Sequence, residues 1–107
     1  MTKYHARRTE VDGITFDSLA EARRYGELKL LQAAGEIDTV IVHPVWPIVV
    51  NGALVCRYEA DFQYHDYKLG CGVVEDVKSK PTMTPTYRLK KKLMKAVHNI
   101  EIVEVSA

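Results

Sequence analysis

The chain of 107 residues has little cysteine, little tryptophan and almost no net charge. Its two cysteines, Cys56 and Cys71, make neither a CxxC pair nor a zinc spacing with a histidine. They predict two reduced thiols in strands of a cytosolic protein. The four histidines (His5, His43, His65 and His98) are scattered, without HxH or HExxH spacing, which argues against a histidine-based metal site. No apolar run approaches the roughly 18 residues of a membrane span. The segment Met1 to Glu10 is polar and basic, with no apolar stretch that would serve as a secretory signal. The expectation is a cytoplasmic protein with no membrane partner. A net charge of +1 says little about partners, but its distribution says more. From Lys78 to His98 there are seven Lys or Arg residues and no Asp or Glu, and Lys3, Arg7 and Arg8 open the chain. Such segregation predicts a local anion-binding face.

What is present is a foldable domain. Apolar residues make up 47% of the chain, enough for one core. Thr9 to Phe16 reads as a hairpin around Asp12-Gly13. Ser18-Leu19-Ala20-Glu21 fits a capping box, opening a helix that runs to about Ala34 and stops at Gly35. Tyr25, Leu28 and Leu31 share one side of it, Leu19 and Leu30 another, which predicts burial on more than one side. Thr39 to Val50 reads as one or two strands, with Pro44 and Pro47 at an edge, bulge or bend. Asn51-Gly52 turns this segment into a long strand from Ala53 to about His65. After a turn at Asp66–Gly70, Cys71 to about Lys78 is the next strand, and Ile100 to Val105 is the last. Between them Thr86 to His98 is a helix, with Leu89, Leu93, Ala96 and Val97 as its apolar stripe. Trp46 reads as packing. The class is α/β, a single domain over 1–107 with a central mixed β-sheet flanked by helices.

Alternation along the strands places Asp61 on a polar face and Asp76 and Lys78 on one face of the next strand. A hairpin around Asp66–Gly70 brings the two acids to similar heights. Paired carboxylates suit a hard cation such as Mg²⁺ (or Mn²⁺), which supplies hydroxide and steadies charge on a phosphate under attack. A neighbouring lysine orients the water or neutralises developing charge. Each residue also has a plain structural reading. Asp61 can be an exposed acid, and Asp76 and Lys78 a surface ion pair. Glu75 competes with Asp76 but points away from Lys78 in a regular strand, toward the surface or the basic helix; a bulge would swap them. Glu21 is either the capping-box acid or a group facing the sheet. Arg88, Lys91 and Lys95 either lie solvated or run along a phosphate backbone. Tyr87 either stacks on or bonds to nucleic acid, or is core.

Asp76-Val77-Lys78, with Ala60-Asp61 on the preceding strand, resembles the signature of the PD-(D/E)xK nuclease superfamily. The likeness extends through Val11-Asp12-Gly13, Phe16-Asp17-Ser18, Glu21-Ala22-Arg23-Arg24-Tyr25, Ala34-Gly35-Glu36-Ile37, Val74-Glu75-Asp76-Val77-Lys78 and Tyr87-Arg88-Leu89-Lys90. Together these resemble a family of small phage and prophage proteins within that superfamily, over about Lys3 to Val105. The chain departs from the pattern at Ala60, which replaces the proline, and at Ser79-Lys80, where relatives often have glycine. The resemblance implies a restriction-endonuclease-like core and a metal-dependent DNA endonuclease. Asp61 and Asp76 would hold Mg²⁺ or Mn²⁺, Glu21 would be a direct or water-mediated third ligand, and Lys78 would position the water. Lys80, Tyr87, Arg88, Lys91 and Lys95 would contact DNA. It implies phage replication or recombination in the host cytoplasm, a preference for junctions or branches, and a homodimer to cut two strands. The alternative from another class is a non-catalytic nucleic-acid-binding module on the same fold.

Overall fold

A computed structural model of the chain describes residues 8–107. Lys3 and Arg7 of the expected basic arm lie outside them. Arg8 is exposed and stands 3.8 Å from Asp17.

Both dipeptide turn signals hold. β1 (Thr9–Val11) and β2 (Ile14–Phe16) form a hairpin, and Asp12 and Gly13 both take positive φ, as the turn demands. Asn51 and Gly52 do the same between β4 (Val45–Val50) and β5 (Ala53–Glu59). Helix α1 spans Leu19–Ala33, and the Ser18 hydroxyl caps it by accepting from the Glu21 amide at 3.1 Å. Only one side of α1 is buried, through Ala22, Tyr25 and Leu28. Leu19 and Leu30 are exposed, contrary to the expectation of burial on several sides, because the sheet meets α1 along one side only.

The main sheet has the order β3-β6-β7-β8. β3 (Ile37–Val42), β6 (Phe62–Asp66) and β7 (Cys71–Lys78) are antiparallel neighbours, while β8 (Ile102–Ser106) runs parallel to β7. The crossover between β7 and β8 contains a single 3₁₀ turn (Lys80–Thr82) and α2 (Pro85–His98), which ends on left-handed Asn99. The fold is mixed α/β, with one helix against each face of a mixed sheet. Phe16, Tyr25, Leu28, Phe62, Tyr64, Val73 and Val77 form the core beneath α1. Val74, Tyr87, Met94 and Ile102 form the core beneath α2, joined by Ile48, Tyr58 and Ala60.

The expected long strand from Ala53 to His65 is two strands, β5 and β6, divided at Ala60-Asp61. The partner arm divides opposite it, at His43-Pro44. The ladder keeps one register across the gap, from Val42↔Phe62 to Val45↔Glu59. The His43 amide donates to the Asp61 carbonyl and the Ala60 amide to the Pro44 carbonyl, both at 3.0 Å. The two arms are therefore one bent ribbon. Its inner half belongs to the main sheet and its outer half reaches over α2. Proline lacks the amide a ladder needs, so Pro44 marks the bend. The bend also turns the ribbon's apolar face. Ala60 packs in the α2 core, and Phe62 packs in the α1 core.

The apolar side of α2 differs from the expectation. Its buried residues are Tyr87 and Met94, while Leu89 is 59% exposed and Val97 is 37% exposed. Lys90, reaching the Arg57 carbonyl at 3.0 Å, turns this flank along the projecting ribbon. Trp46 is packed, as expected. Cys56 and Cys71 are free thiols in β5 and β7. Among the described residues no helix is long and apolar enough to cross a membrane.

Candidate metal centre

Three strands and one helix end meet at the bend. His43 follows β3, and Asp61 precedes β6 on the neighbouring strand. Asp76 lies in β7 beside Asp61, one step past the Phe62↔Glu75 pair. Glu104 of β8 stands opposite Asp76. Glu21 enters from the first turn of α1.

Glu21, His43 and Asp61 each offer a ligand atom, and these atoms lie within 4.8 Å of one another. His43 Nε2 is 4.0 Å from Glu21 Oε1. The other Glu21 oxygen accepts from Ser18 Oγ at 3.1 Å. Glu21 thus serves the helix cap and the cluster with different atoms, and its two sequence readings are compatible. Burial and the negative charge of Asp61 push the Glu21 carboxyl up to about 7. Burial raises Asp61 as well, opposed by a 2.7 Å bond from the Val77 amide and by the charge of Lys78. Two desolvated acids and an imidazole, with no lysine or arginine bonded to them among the described residues, form a donor set suited to a divalent ion. The scattered spacing of the histidines argued against a histidine-based site; strand pairing, not sequence spacing, places His43 beside these two acids.

Asp76 lies beside Asp61, as expected, but is not one of the three clustered ligand groups. It is 3% exposed, and its carboxylate turns to two donors, the Tyr58 hydroxyl and the Asp61 amide, the latter at 2.8 Å. Asp76 and Asp61 are therefore clasped, each accepting from backbone at or beside the other. Burial pushes Asp76 up to about 6, against the Asp61 amide and the charge of Lys78. The structure brings Asp61 and Asp76 together, but only Asp61 joins Glu21 and His43 in the ligand cluster. Lys78 Nζ rests 4.1 Å from the centre of the Tyr87 ring, and its charge lowers both Asp61 and Asp76.

Glu75 does not meet the surface or the basic helix, as its strand position had suggested. It is fully buried on the α1 side. Arg24 donates to both its oxygens, at 2.6 and 3.0 Å, and the Tyr64 hydroxyl donates at 2.7 Å. The outward direction expected for Glu75 is inward because α1 covers that face and supplies the half-buried Arg24 as its partner.

The expected DNA contacts divide. Arg88, Lys91 and Lys95, with Lys92, line an open groove of about 500 Å³ between α2 and β8, floored by Met83 and Ile102. The groove also holds Glu101 and Glu104, and none of the cluster residues lines it. Lys91 is tied to Glu104 at 2.9 Å. Lys80 is exposed at the 3₁₀ turn. Tyr87 is not a surface contact: it is 7% exposed and its hydroxyl donates to Glu104 at 2.8 Å. Its ring is core because the helix turns the apolar side containing Met94 inward.

Residues 1–103 match the family described as "Protein of unknown function (DUF1064)". The chain belongs to that family. No curated protein and no solved structure matches it. For this DUF1064 member, the local signal that comes nearest to His43 is the Asn51-Gly52 turn. Counting back from it along both arms sets His43 opposite Ala60, and the register shift between Ile48 and Val49 moves it one residue on, to Asp61. Tyr58 follows from the same count, three residues before Asp61 on the face that the bend turns toward α2.

Proposed function

We propose that the protein is a divalent-ion-dependent nuclease that hydrolyses phosphodiester bonds in DNA on a restriction-endonuclease-like core. The observation that supports it best is the convergence of Glu21, His43 and Asp61, with Asp76 and Lys78 beside them, at one end of a mixed sheet. Glu21 and Asp61 hold the ion, Mg²⁺ or Mn²⁺, with His43 next to them. When bound, such an ion supplies a water of lowered pKa and charge stabilisation for the phosphate. Asp76 keeps Asp61 oriented through its amide and adds negative charge beside the ion. Lys78, already within electrostatic reach of both acids, orients the attacking water or steadies the phosphate oxygen. The four cations of the α2–β8 groove, together with Lys80, lie along the sugar-phosphate backbone.

A junction- or branch-specific role in phage DNA metabolism, in the cytoplasm of a host, is the finer form of this reading. A homodimer suits it, and the exposed flank of Leu89 and Val97 beside the projecting ribbon is an apolar surface for such pairing. The non-catalytic binding module is the second reading. It is favoured by the distance in role between the groove, which carries the positive charge, and the cluster, which lines no part of it.

The test is incubation with labelled duplex, single-stranded, flapped and four-way-junction DNA in Mg²⁺ or Mn²⁺, beside Asp61→Asn and Lys78→Ala proteins. Ion-dependent cleavage absent from both variants establishes the nuclease and its substrate class. Salt-sensitive binding without cleavage of any substrate establishes the module instead.

A further inference from the structure

We propose that His43 is a nitrogen ligand of the ion held by Glu21 and Asp61, and that it shifts the site's preference from Mg²⁺ toward a first-row transition ion such as Mn²⁺. The inference rests on the ion-dependent reading above and specifies which ion that site selects.

Two observations carry it. The imidazole Nε2 lies 4.0 Å from Glu21 Oε1, with the Asp61 carboxylate in the same cluster. Ligand atoms bound about 2.1 Å from one ion are separated by about 3 to 4 Å, so the three need only a small contraction. Second, the backbone at His43 is held for this placement. Its amide donates to Asp61 at 3.0 Å, the next residue's carbonyl takes the Ala60 amide, and the ring lies against Phe16 at 5.9 Å between centroids. His43 has φ 54, a conformation that few residue types adopt without strain. A turn explains the positive φ of Asp12 and Asn51. The bend at His43-Pro44 explains that of His43.

The choice of ion follows from donor chemistry. Mg²⁺ takes oxygen ligands and dehydrates reluctantly, so an imidazole in its shell gains little. Transition ions accept imidazole readily, with Mn²⁺ the weakest of the series. A preference visible with Mn²⁺ therefore extends to its heavier neighbours.

The substitution that isolates the effect is His43→Asn. Asparagine tolerates the left-handed conformation and offers an oxygen in place of the nitrogen. His43→Gly, free of strain at that φ, removes the donor altogether and serves as the second variant. Pulsed EPR of the protein loaded with Mn²⁺ should show ¹⁴N coupling from a coordinated imidazole. The coupling should vanish in both His43 variants, and the ion itself should be lost in Asp61→Asn. By calorimetry the wild type should bind Mn²⁺ at least about tenfold more tightly than Mg²⁺, and His43→Asn should bring the two within about threefold. An ion bound through Asp61 without ¹⁴N coupling, or a Mn²⁺/Mg²⁺ ratio unchanged in His43→Asn, overturns the inference and leaves ion-dependent cleavage standing. A nitrogen-coordinated ion in a protein that cleaves no DNA upholds the inference and removes the nuclease reading.

Discussion

Glu75 and Asp76 are adjacent, both buried, and held in opposite ways. Glu75 faces α1, where Arg24 meets both oxygens and Tyr64 adds a third bond. Asp76 faces the α2 side, where its donors are a phenol and an amide, and among the described residues no cation bonds to it. One carboxylate is neutralised by direct contact and locked, and the other has only the nearby charge of Lys78 set against it. A buried charge without a counter-ion is costly to the fold, so it marks a place where the fold serves another purpose. Two successive residues of one strand thus separate structural from functional acidity, by the face of the sheet on which each falls.

The largest effect comes from breaking the locked side. Arg24→Met leaves Glu75 buried and unpaired, and should destabilise the protein by about 3 kcal/mol, near the low end for buried pairs because Arg24 keeps a partly solvated edge. A lower urea midpoint reports it, and the double variant Arg24→Met/Glu75→Gln should recover most of the loss. A double variant as unstable as the single one would show that Glu75 is not the group left stranded.

Next is the ion. At a hundredfold excess over its dissociation constant, Mn²⁺ should stabilise the fold by about 2.7 kcal/mol, seen as a raised Tm that Glu21→Gln or Asp61→Asn removes. Unchanged melting with ion present would count against the cluster as a metal centre.

A smaller effect is the pH dependence of the ion-free protein. Glu21 is raised from 4.5 to about 7 and Asp76 from 3.8 to about 6, so the folded state holds protons that the unfolded chain releases. Their contribution to stability is complete below the ordinary carboxylate range and is lost as pH rises through about 6 and 7. In EDTA, Tm should therefore fall over that window, and Glu21→Gln should flatten its upper part. A slope of the opposite sign would refute the electrostatic account.

The smallest effect concerns the groove. Arg88→Gln or Lys95→Gln should each reduce the salt dependence of DNA binding by about one unit of log–log slope. Lys91→Gln should do less, because Glu104 already engages that ammonium.

Much of this was legible in the sequence. The two turn dipeptides, the Ser18 cap, the β7 alternation and the pairing of Asp61 with Asp76 follow from local chemistry and period-two geometry. The ribbon's bend was half legible: Pro44 announced a break in one arm, and nothing local announced the matching break at Ala60-Asp61. The direction of Glu75 was not legible, because its arginine comes from 51 residues away. Nor was the burial of Tyr87 over Leu89, since α2 is amphipathic in two directions and only the tertiary contact chooses between them. His43 was hidden for a related reason. Its partners in the cluster are far in sequence and joined by strand register.

The most direct measurement compares Glu75→Gln with Asp76→Asn, scoring both stability and ion-dependent DNA cleavage in each. Glu75→Gln should melt earlier yet still cleave when folded, whereas Asp76→Asn should fold at least as well as the wild type and lose cleavage by about a hundredfold or more. Full cleavage by Asp76→Asn, or a selective loss of cleavage in folded Glu75→Gln, would contradict this division of roles.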